Sequence, residues 1–328
     1  MLKLASYFES LAEDGAVRCN LCPHRCKVKN GGAGLCLIRK NIDGKLYQAS
    51  YGEVTSVNLD PIEKKPLYHF YPSSNILSIG TNGCNLKCAF CQNYTISTQE
   101  TFREEVSVLD LVNLAKKHNS IGIAYTYNEP TIWFEFVLDC AKVFRENGLK
   151  NVIVSNGNIN REPLLELIKV IDTANIDLKG FTDGFYNWVK GDLNTVKETI
   201  RLLFENNIHT EVTFLLIPNR NDKIDDFTRM CEYLMSISKD IPLHISRYFP
   251  TYKCNEPTTD IAKMLEFYKE AKKYLNYVYL GNISAGDNAN SYCPDCGNLL
   301  VKRDGYYSEI VNKKDVCEKC SRKLYFRL

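Results

Sequence analysis

The sequence predicts an α/β fold, a partial (β/α)6 TIM-type barrel with an N-terminal Cys-rich extension and a C-terminal zinc-ribbon or rubredoxin-like module. Three observations predict it. Seven short apolar runs, at 76–80, 121–125, 151–155, 173–178, 209–217, 241–246 and 276–280, are rich in Ile, Val, Leu and Tyr and bounded by turn residues, as buried strands are. Amphipathic helices separate them, and repeated strand–helix units imply parallel strands with right-handed crossovers. Such units build either a barrel or an open doubly wound sheet. The barrel is preferred because polar residues gather at the C-terminal ends of several different strands, where barrel sites lie. Third, eleven of the fourteen cysteines fall in three compact groups, 19/22/26/36, 84/88/91 and 293/296/317/320. These stand before, inside and after the barrel pattern.

The first part, residues 1–75, carries Cys19-Asn20-Leu21-Cys22-Pro23-His24-Arg25-Cys26 and then Cys36. The turn Gly31-Gly32-Ala33-Gly34 lets the last ligand swing back. Four thiolates suit zinc and an auxiliary iron–sulfur cluster alike; zinc is the preferred reading. Residues 60–72, with Pro61, Pro66 and Pro72, disfavour both helix and central strand and read as an extended strap into the core. The barrel occupies 76–287. Its first helix, about 107–118, opens on Ser107 and Asp110, a capping box. Its second starts after Pro130 and stops at Gly148. Its last shows Ile261, Met264, Leu265, Tyr268 and Leu275 at helical spacing. Cys140 and Cys231 fall in helix-like stretches as core fillers, and Cys254 follows a loop that would expose it. The tail, 288–328, pairs Cys293-x2-Cys296 with Cys317-x2-Cys320 across an Asp304-Gly305 hairpin turn. A module this short buries little core, so zinc, or iron of the rubredoxin kind, would supply its folding energy.

Composition narrows the function. A net charge of +2 gives no electrostatic case for nucleic acid or an anionic membrane. Residues 1–15 carry Lys3, Glu9, Glu13 and Asp14 without an apolar signal core, and no stretch is apolar enough to span a bilayer. The expected location is cytoplasmic. Fourteen cysteines in a reducing compartment read as metal ligands rather than disulfides.

The chemistry centres on Gly83-Cys84-Asn85-Leu86-Lys87-Cys88-Ala89-Phe90-Cys91-Gln92-Asn93. Its C-x3-C-x2-C spacing is one ligand short of the four thiolates that hold an iron–sulfur cluster or close a structural zinc site. Three thiolates on a cubane leave one iron open to a non-protein ligand. The competing readings are a zinc site completed by a distant histidine such as His69, or cysteines packed as small hydrophobes. Further polar groups end successive strands: Asn128 and Glu129, then Ser155 and Asn156, then Asp177 and Lys179. Each alone is an ordinary cap or turn; together they ring one barrel mouth. His244 and Arg247, in the sixth strand, add positive charge suited to a carboxylate, against the alternatives of a core histidine and a solvated arginine.

These pieces together resemble the radical SAM (S-adenosylmethionine) enzymes, in the glycyl-radical-activase-like branch. More narrowly they are similar to the radical SAM enzymes of the AmmeMemoRadiSam system. The matching segments are Cys19 to Cys26, Asp60 to Phe70, Gly83 to Asn93, Tyr125 to Pro130, Asn175 to Gly180 and the terminal C-x2-C pair. The resemblance implies that Cys84, Cys88 and Cys91 hold a [4Fe–4S] cluster whose open iron is chelated by the SAM amino and carboxylate groups. It implies that Phe90 lies against the adenine, that Asn128 and Glu129 meet the SAM amino group, and that Asn156, Asp177 and Lys179 touch the ribose or carboxylate. Asn128 stands where the branch usually has glycine, and the loop Ile217 to Asp222 lacks a family glycine. The activity implied is reductive cleavage of SAM to a 5′-deoxyadenosyl radical that abstracts hydrogen from a substrate, fed by an external one-electron reductant of the flavodoxin or ferredoxin type. The partners implied are a protein offering a backbone glycine, or Memo-like and Amme-type proteins. The rival classes are a non-catalytic metal-binding scaffold and an electron carrier that never cleaves SAM.

Overall fold

Runs such as Ile76-Leu77-Ser78-Ile79 have no polar face to offer water. They form a sheet covered on both sides, as parallel strands must be. The computed structural model describes residues 1–11 and 15–328; Glu13 and Asp14 of the N-terminal charge count lie outside the described residues. The main sheet has eight strands: β1 (Ser56–Pro61), β2 (Asn75–Gly80), β3 (Gly122–Tyr125), β4 (Lys150–Ser155), β5 (Thr173–Asp177), β6 (His209–Leu216), β7 (Leu243–Arg247) and β8 (Val278–Gly281). They pair in strict chain order, and the two edge strands do not pair with each other. From β2 to β8 all neighbours are parallel; β1 runs antiparallel to β2. Sequential order with helical crossovers is the barrel solution rather than the doubly wound one, and the unpaired edges leave the barrel partial. Each crossover carries one principal helix, α1 (Val108–Lys117), α2 (Phe134–Glu146), α3 (Arg161–Ile168), α4 (Leu193–Glu205), α5 (Ile224–Ile237) and α6 (Ile261–Ala271), and the first and fourth also hold the short helices Tyr94–Thr98 and Asp183–Val189.

Local signals set these boundaries. Ser107 Oγ accepts from Asp110 N at 3.1 Å and opens α1, while the Asp110 carboxylate takes the Ser107 hydroxyl at 2.6 Å rather than the backbone N–H of a full capping box. Cys140 and Cys231 are core fillers, both fully buried. Cys254 differs from expectation: it is 3% exposed, because its loop folds back and its carbonyl accepts from Tyr248 Oη at 2.7 Å.

The proline-punctuated segment is not irregular throughout. Asp60 and Pro61 end β1, an edge position where a proline costs no ladder bond. The rest threads beneath the barrel. Glu211, on β6 and fully buried, accepts from Tyr68 N at 3.0 Å and His69 N at 2.8 Å. Asn175 Nδ2 donates to Pro66 O at 2.7 Å. The C-terminal tail seals this end: His69 stacks on Phe326 at 3.8 Å, Arg327 N donates to His69 O at 2.8 Å, and Arg303 Nη2 donates to Tyr68 O at 2.6 Å. The tail hairpin, β9 (Leu299–Asp304) with β10 (Tyr307–Ile310), turns on Gly305 at φ 59°. Leu300, Val301, Leu324 and Phe326 bury against Tyr68, Tyr277 and Tyr279. This plug closes the N-terminal rim and leaves the rim formed by the C-terminal ends of the strands for a site.

Candidate functional site

The cysteine loop leaves β2 at that open rim and is clamped by backbone contacts. Asn128 Oδ1 accepts from Thr81 N at 3.1 Å, and its Nδ2 donates to Gly83 O at 3.0 Å. Gly83 has φ 91°, and a Cβ there would stand 2.1 Å from Cys36 O, so only glycine fits. Lys87 N donates to Val189 O at 2.8 Å. Cys84, Cys88 and Cys91 are half-buried. Burial pushes the Cys88 thiol up to about 12, with Lys179 acting against it. Burial, then the Glu129 carboxylate, holds Cys84 well above its ordinary range.

The polar strand exits converge on these sulfurs. Asn156 Nδ2 lies 3.7 Å from Cys84 Sγ and 2.9 Å from Asn85 Oδ1. Glu129 Oε1 accepts from Ser155 Oγ at 2.7 Å and Thr131 N at 2.9 Å, and Oε2 accepts from Asn156 N at 2.8 Å. Burial raises the Glu129 pKa against those donors. Lys179 Nζ pairs with Asp177 Oδ2 at 2.8 Å; burial alone would lower its pKa, but Asp177 and the neighbouring Cys88 hold it above the ordinary range. Glu129, Ser155 and Asn156 therefore form one hydrogen-bonded set beside Cys84, and the Asp177–Lys179 pair stands beside Cys88.

Other expected site residues sit differently. Asn128 bonds Thr81 N, Asn82 O and Gly83 O, so it anchors the cysteine loop. Phe90 is 4% exposed and packs on Trp188 at 5.3 Å and Phe185 at 6.1 Å. His244 is displaced from the mouth: its Nε2 lies 2.7 Å from Glu211 Oε2 in the plugged half of the barrel. It precedes Arg247 by three residues, which is about 10 Å along a strand. Arg247 is at the exit end, with Nε donating to Thr259 O at 2.8 Å and its guanidinium 5.1 Å from the Phe249 ring. His69, the rival fourth ligand, lies in the same plug as His244. Two contributors were not singled out from sequence. Asn221 Nδ2 donates to Lys179 O at 2.8 Å, taking over the ordering of the loop that lacks the family glycine. Asn85 lies within the cysteine motif itself, and that position was its only signal.

An Asn128→Ala substitution tests the anchoring. With Thr81 N and Gly83 O released, the cysteine loop loses its fixed entry. Iron content is expected to persist while the rate of SAM cleavage falls about tenfold, the scale of roughly 1.4 kcal/mol of lost positioning. An unchanged rate would remove Asn128 from this role.

The two four-cysteine groups differ in geometry. Cys293, Cys296, Cys317 and Cys320 are, among the described residues, the group of His, Cys, Asp or Glu whose ligand atoms all lie within 4.8 Å of one another. Cys293 Sγ is 3.5 Å from Cys320 Sγ, and Cys296 Sγ 3.6 Å from Cys317 Sγ. Four sulfurs bonded tetrahedrally to one ion at about 2.3 Å stand about 3.8 Å apart, so the residues fit a single metal ion. Against a burial effect that raises it, the Cys317 thiol is brought down to about 6 by the Cys320 and Lys319 N–H groups. Removing the ion with a chelator is expected to lower amide protection of Leu299–Asp304 and Tyr307–Ile310 at least about tenfold, while Thr173–Asp177 stays protected. Equal protection before and after chelation would make the metal dispensable to the module.

Residues 78–234 match the family described as the Radical SAM superfamily. A Methanocaldococcus jannaschii protein described as uncharacterized is 40% identical over 98% of this chain and 99% of its own. Another protein of that organism, carrying the name of a candidate glycyl-radical enzyme activating enzyme, is 27% identical over 65% of this chain and 92% of its own. The crystal structure of a radical SAM methyltransferase from Sphaerobacter thermophilus aligns over 91% of this chain and 81% of its own, with a TM-score of 0.50 and 13% identity, a likeness of fold.

Proposed function

The chain belongs to the radical SAM superfamily, and on that premise we propose how its residues are shared between cofactor, substrate and partner. It is an enzyme that cleaves SAM to a radical. When bound, the [4Fe–4S] cluster supplies the electron that breaks the sulfonium carbon–sulfur bond, leaving methionine and a 5′-deoxyadenosyl radical for hydrogen abstraction.

Cys84, Cys88 and Cys91 hold the cluster and leave one iron for SAM. The observation that carries this reading is the thiol loop itself, standing at the open rim with Asn156 3.7 Å from Cys84 Sγ and Glu129 directly behind. Its sulfurs are more widely spaced than a single ion requires, since among the described residues no three of them lie within 4.8 Å. Glu129 fixes Ser155 and Asn156 and offers a buried carboxylate to the SAM ammonium. Lys179, oriented by Asp177, offers a cation to the SAM carboxylate, and Arg247 adds a second at the rim. Phe90 backs the loop through Trp188 and lies against the adenine.

Zinc occupies the C-terminal four-cysteine site. The division of labour follows the chain: 1–75 as the Cys-rich extension, 76–287 as the catalytic barrel and 288–328 as the ribbon. A one-electron reductant of the flavodoxin or ferredoxin type supplies the electron. The name of the activating-enzyme relative favours a protein substrate, and a backbone glycine on a partner is the activase form of that reading. Memo-like and Amme-type proteins are the partners to test. The fourteen free thiols suit the reducing cytoplasm, and no helix among the described residues is long and apolar enough to cross a membrane.

Anaerobic incubation with dithionite and SAM tests the reading. The expected product is 5′-deoxyadenosine. Iron-loaded protein that binds SAM and never yields it would reduce the chain to an electron carrier.

A further inference from the structure

The N-terminal cysteines make a second wide-spaced sulfur site. Cys19, Cys22, Cys26 and Cys36 all line one cavity whose open wall is wholly apolar, together with His24 and Arg39. Unlike the C-terminal four, no three of these sulfurs lie within 4.8 Å of one another. A single zinc ion would hold them about 3.8 Å apart. Gly34 borders the gap, where a Cβ would touch both Cys26 Sγ and Cys36 Sγ at 3.7 Å, an ordinary contact. We propose that Cys19, Cys22, Cys26 and Cys36 hold a second iron–sulfur cluster, fully ligated by protein and separate from the one at Cys84, Cys88 and Cys91.

The surroundings suit a cluster. The backbone N–H groups of Ile38 and Arg39 lie on the Cys36 side and that of His24 on the Cys22 side, where N–H groups tune cluster potentials. Arg39, 1% exposed, uses Nη1 on Glu135 at 3.0 Å, and its buried Nε has no partner. Dry apolar walls limit hydrolysis and oxidation of bound iron and sulfide. The zinc preference drawn from the sequence is thereby replaced, because spacing along the chain fixes the number of ligands and not the span between sulfurs. The site also abuts the first one. Cys36 O packs on Gly83, His24 Nε2 lies 2.7 Å from Asn85 O, and Asn85 lines the cavity wall.

The identity of this metal does not depend on the function assigned to Cys84, Cys88 and Cys91, and one set of variants separates the two. The full chain is purified anaerobically, and iron, acid-labile sulfide and zinc are measured per chain, with electron paramagnetic resonance after dithionite, with and without SAM. In Cys84→Ala/Cys88→Ala/Cys91→Ala, roughly half the iron and sulfide is expected to remain, with a signal unmoved by SAM because every iron is already ligated. In Cys22→Ser/Cys26→Ser, iron and sulfide fall roughly twofold, zinc is unchanged, and the remaining signal still responds to SAM. The proposal is overturned if the triple variant loses all iron and sulfide and carries about two zinc ions, or if the double variant loses zinc and keeps its iron. If the double variant does not fold, the triple variant decides alone. A wild-type signal that ignores SAM would count against the Cys84 assignment and leave this one standing.

Discussion

Alanine at Cys84, Cys88 or Cys91 is expected to abolish 5′-deoxyadenosine formation, a loss of at least about a thousandfold, while the fold survives. Three thiolates are the minimum that holds a cubane with one open iron, so losing one removes the cofactor rather than weakening it. The structural cost is small. All three side chains are half-buried and lie on a loop whose conformation is fixed by Gly83, Asn128 and the Lys87–Val189 bond. Deleting a sulfur from such a position costs about 1 kcal/mol. Circular dichroism and a denaturation midpoint near that of the parent, combined with lost cleavage, are the expected pair of results. Persisting turnover in any of the three would refute the ligand assignment. Loss of turnover together with loss of folding would instead make these cysteines structural.

Glu211→Ala is expected to be the most destabilising single change in the barrel, by about 3–5 kcal/mol. The carboxylate is fully buried and accepts from two backbone N–H groups of the strap, while His209 Nε2 at 3.1 Å and His244 Nε2 at 2.7 Å complete its shell. Removing it orphans four buried donors at once and leaves a cavity. Glu211→Gln keeps the volume and one acceptor oxygen, and should cost less, about 2 kcal/mol. Urea midpoints measured at neutral pH check both; a cost under about 1 kcal/mol for Glu211→Ala would show that the plug stands without it.

The same cluster sets the pH response. Burial alone would raise the Glu211 pKa, but its hydrogen bonds with His209 and His244 hold it well below the ordinary carboxylate range. A carboxylate depressed in the folded state contributes stability above its unfolded pKa, about 4.3, and that stability is lost as pH falls below it. Burial also holds His69 well below the ordinary histidine value. The unfolded chain then takes up a proton near pH 6.5 that the folded chain refuses, so stability again falls as pH drops. Both groups act in one direction. The urea midpoint is expected to decline from pH 7 toward pH 5 and more steeply below pH 4.5, and Glu211→Gln should flatten the lower part of that curve.

The seven parallel strands were legible because each is a contiguous apolar run with turn residues at its ends; Asn75–Gly80 and Thr173–Asp177 fall within two residues of the predicted bounds. The edge strand Ser56–Pro61 was not, since its burial alternates weakly and its partner residues lie fourteen or more positions downstream. Among the polar rim residues, Glu129, Asn156, Asp177 and Lys179 were singled out because strand ends of a parallel sheet share one rim. The use of Asn128 on Thr81 and Gly83 was not legible, because it depends on a loop 45 residues away.

By itself the sequence determined the strand–helix alternation, the cysteine spacings and the missing fourth ligand, since periodicity and ligand spacing are properties of neighbouring residues. Tertiary structure decided the rest. It turned His244 onto Glu211 instead of toward the mouth, and drew the C-terminal sulfurs to the spacing of one ion. It also held Cys19, Cys22, Cys26 and Cys36 wider apart, against the Cys84 loop. The distance between two sulfurs, or between a histidine and a carboxylate 33 residues earlier, is set by how separate elements pack, and no local pattern carries it.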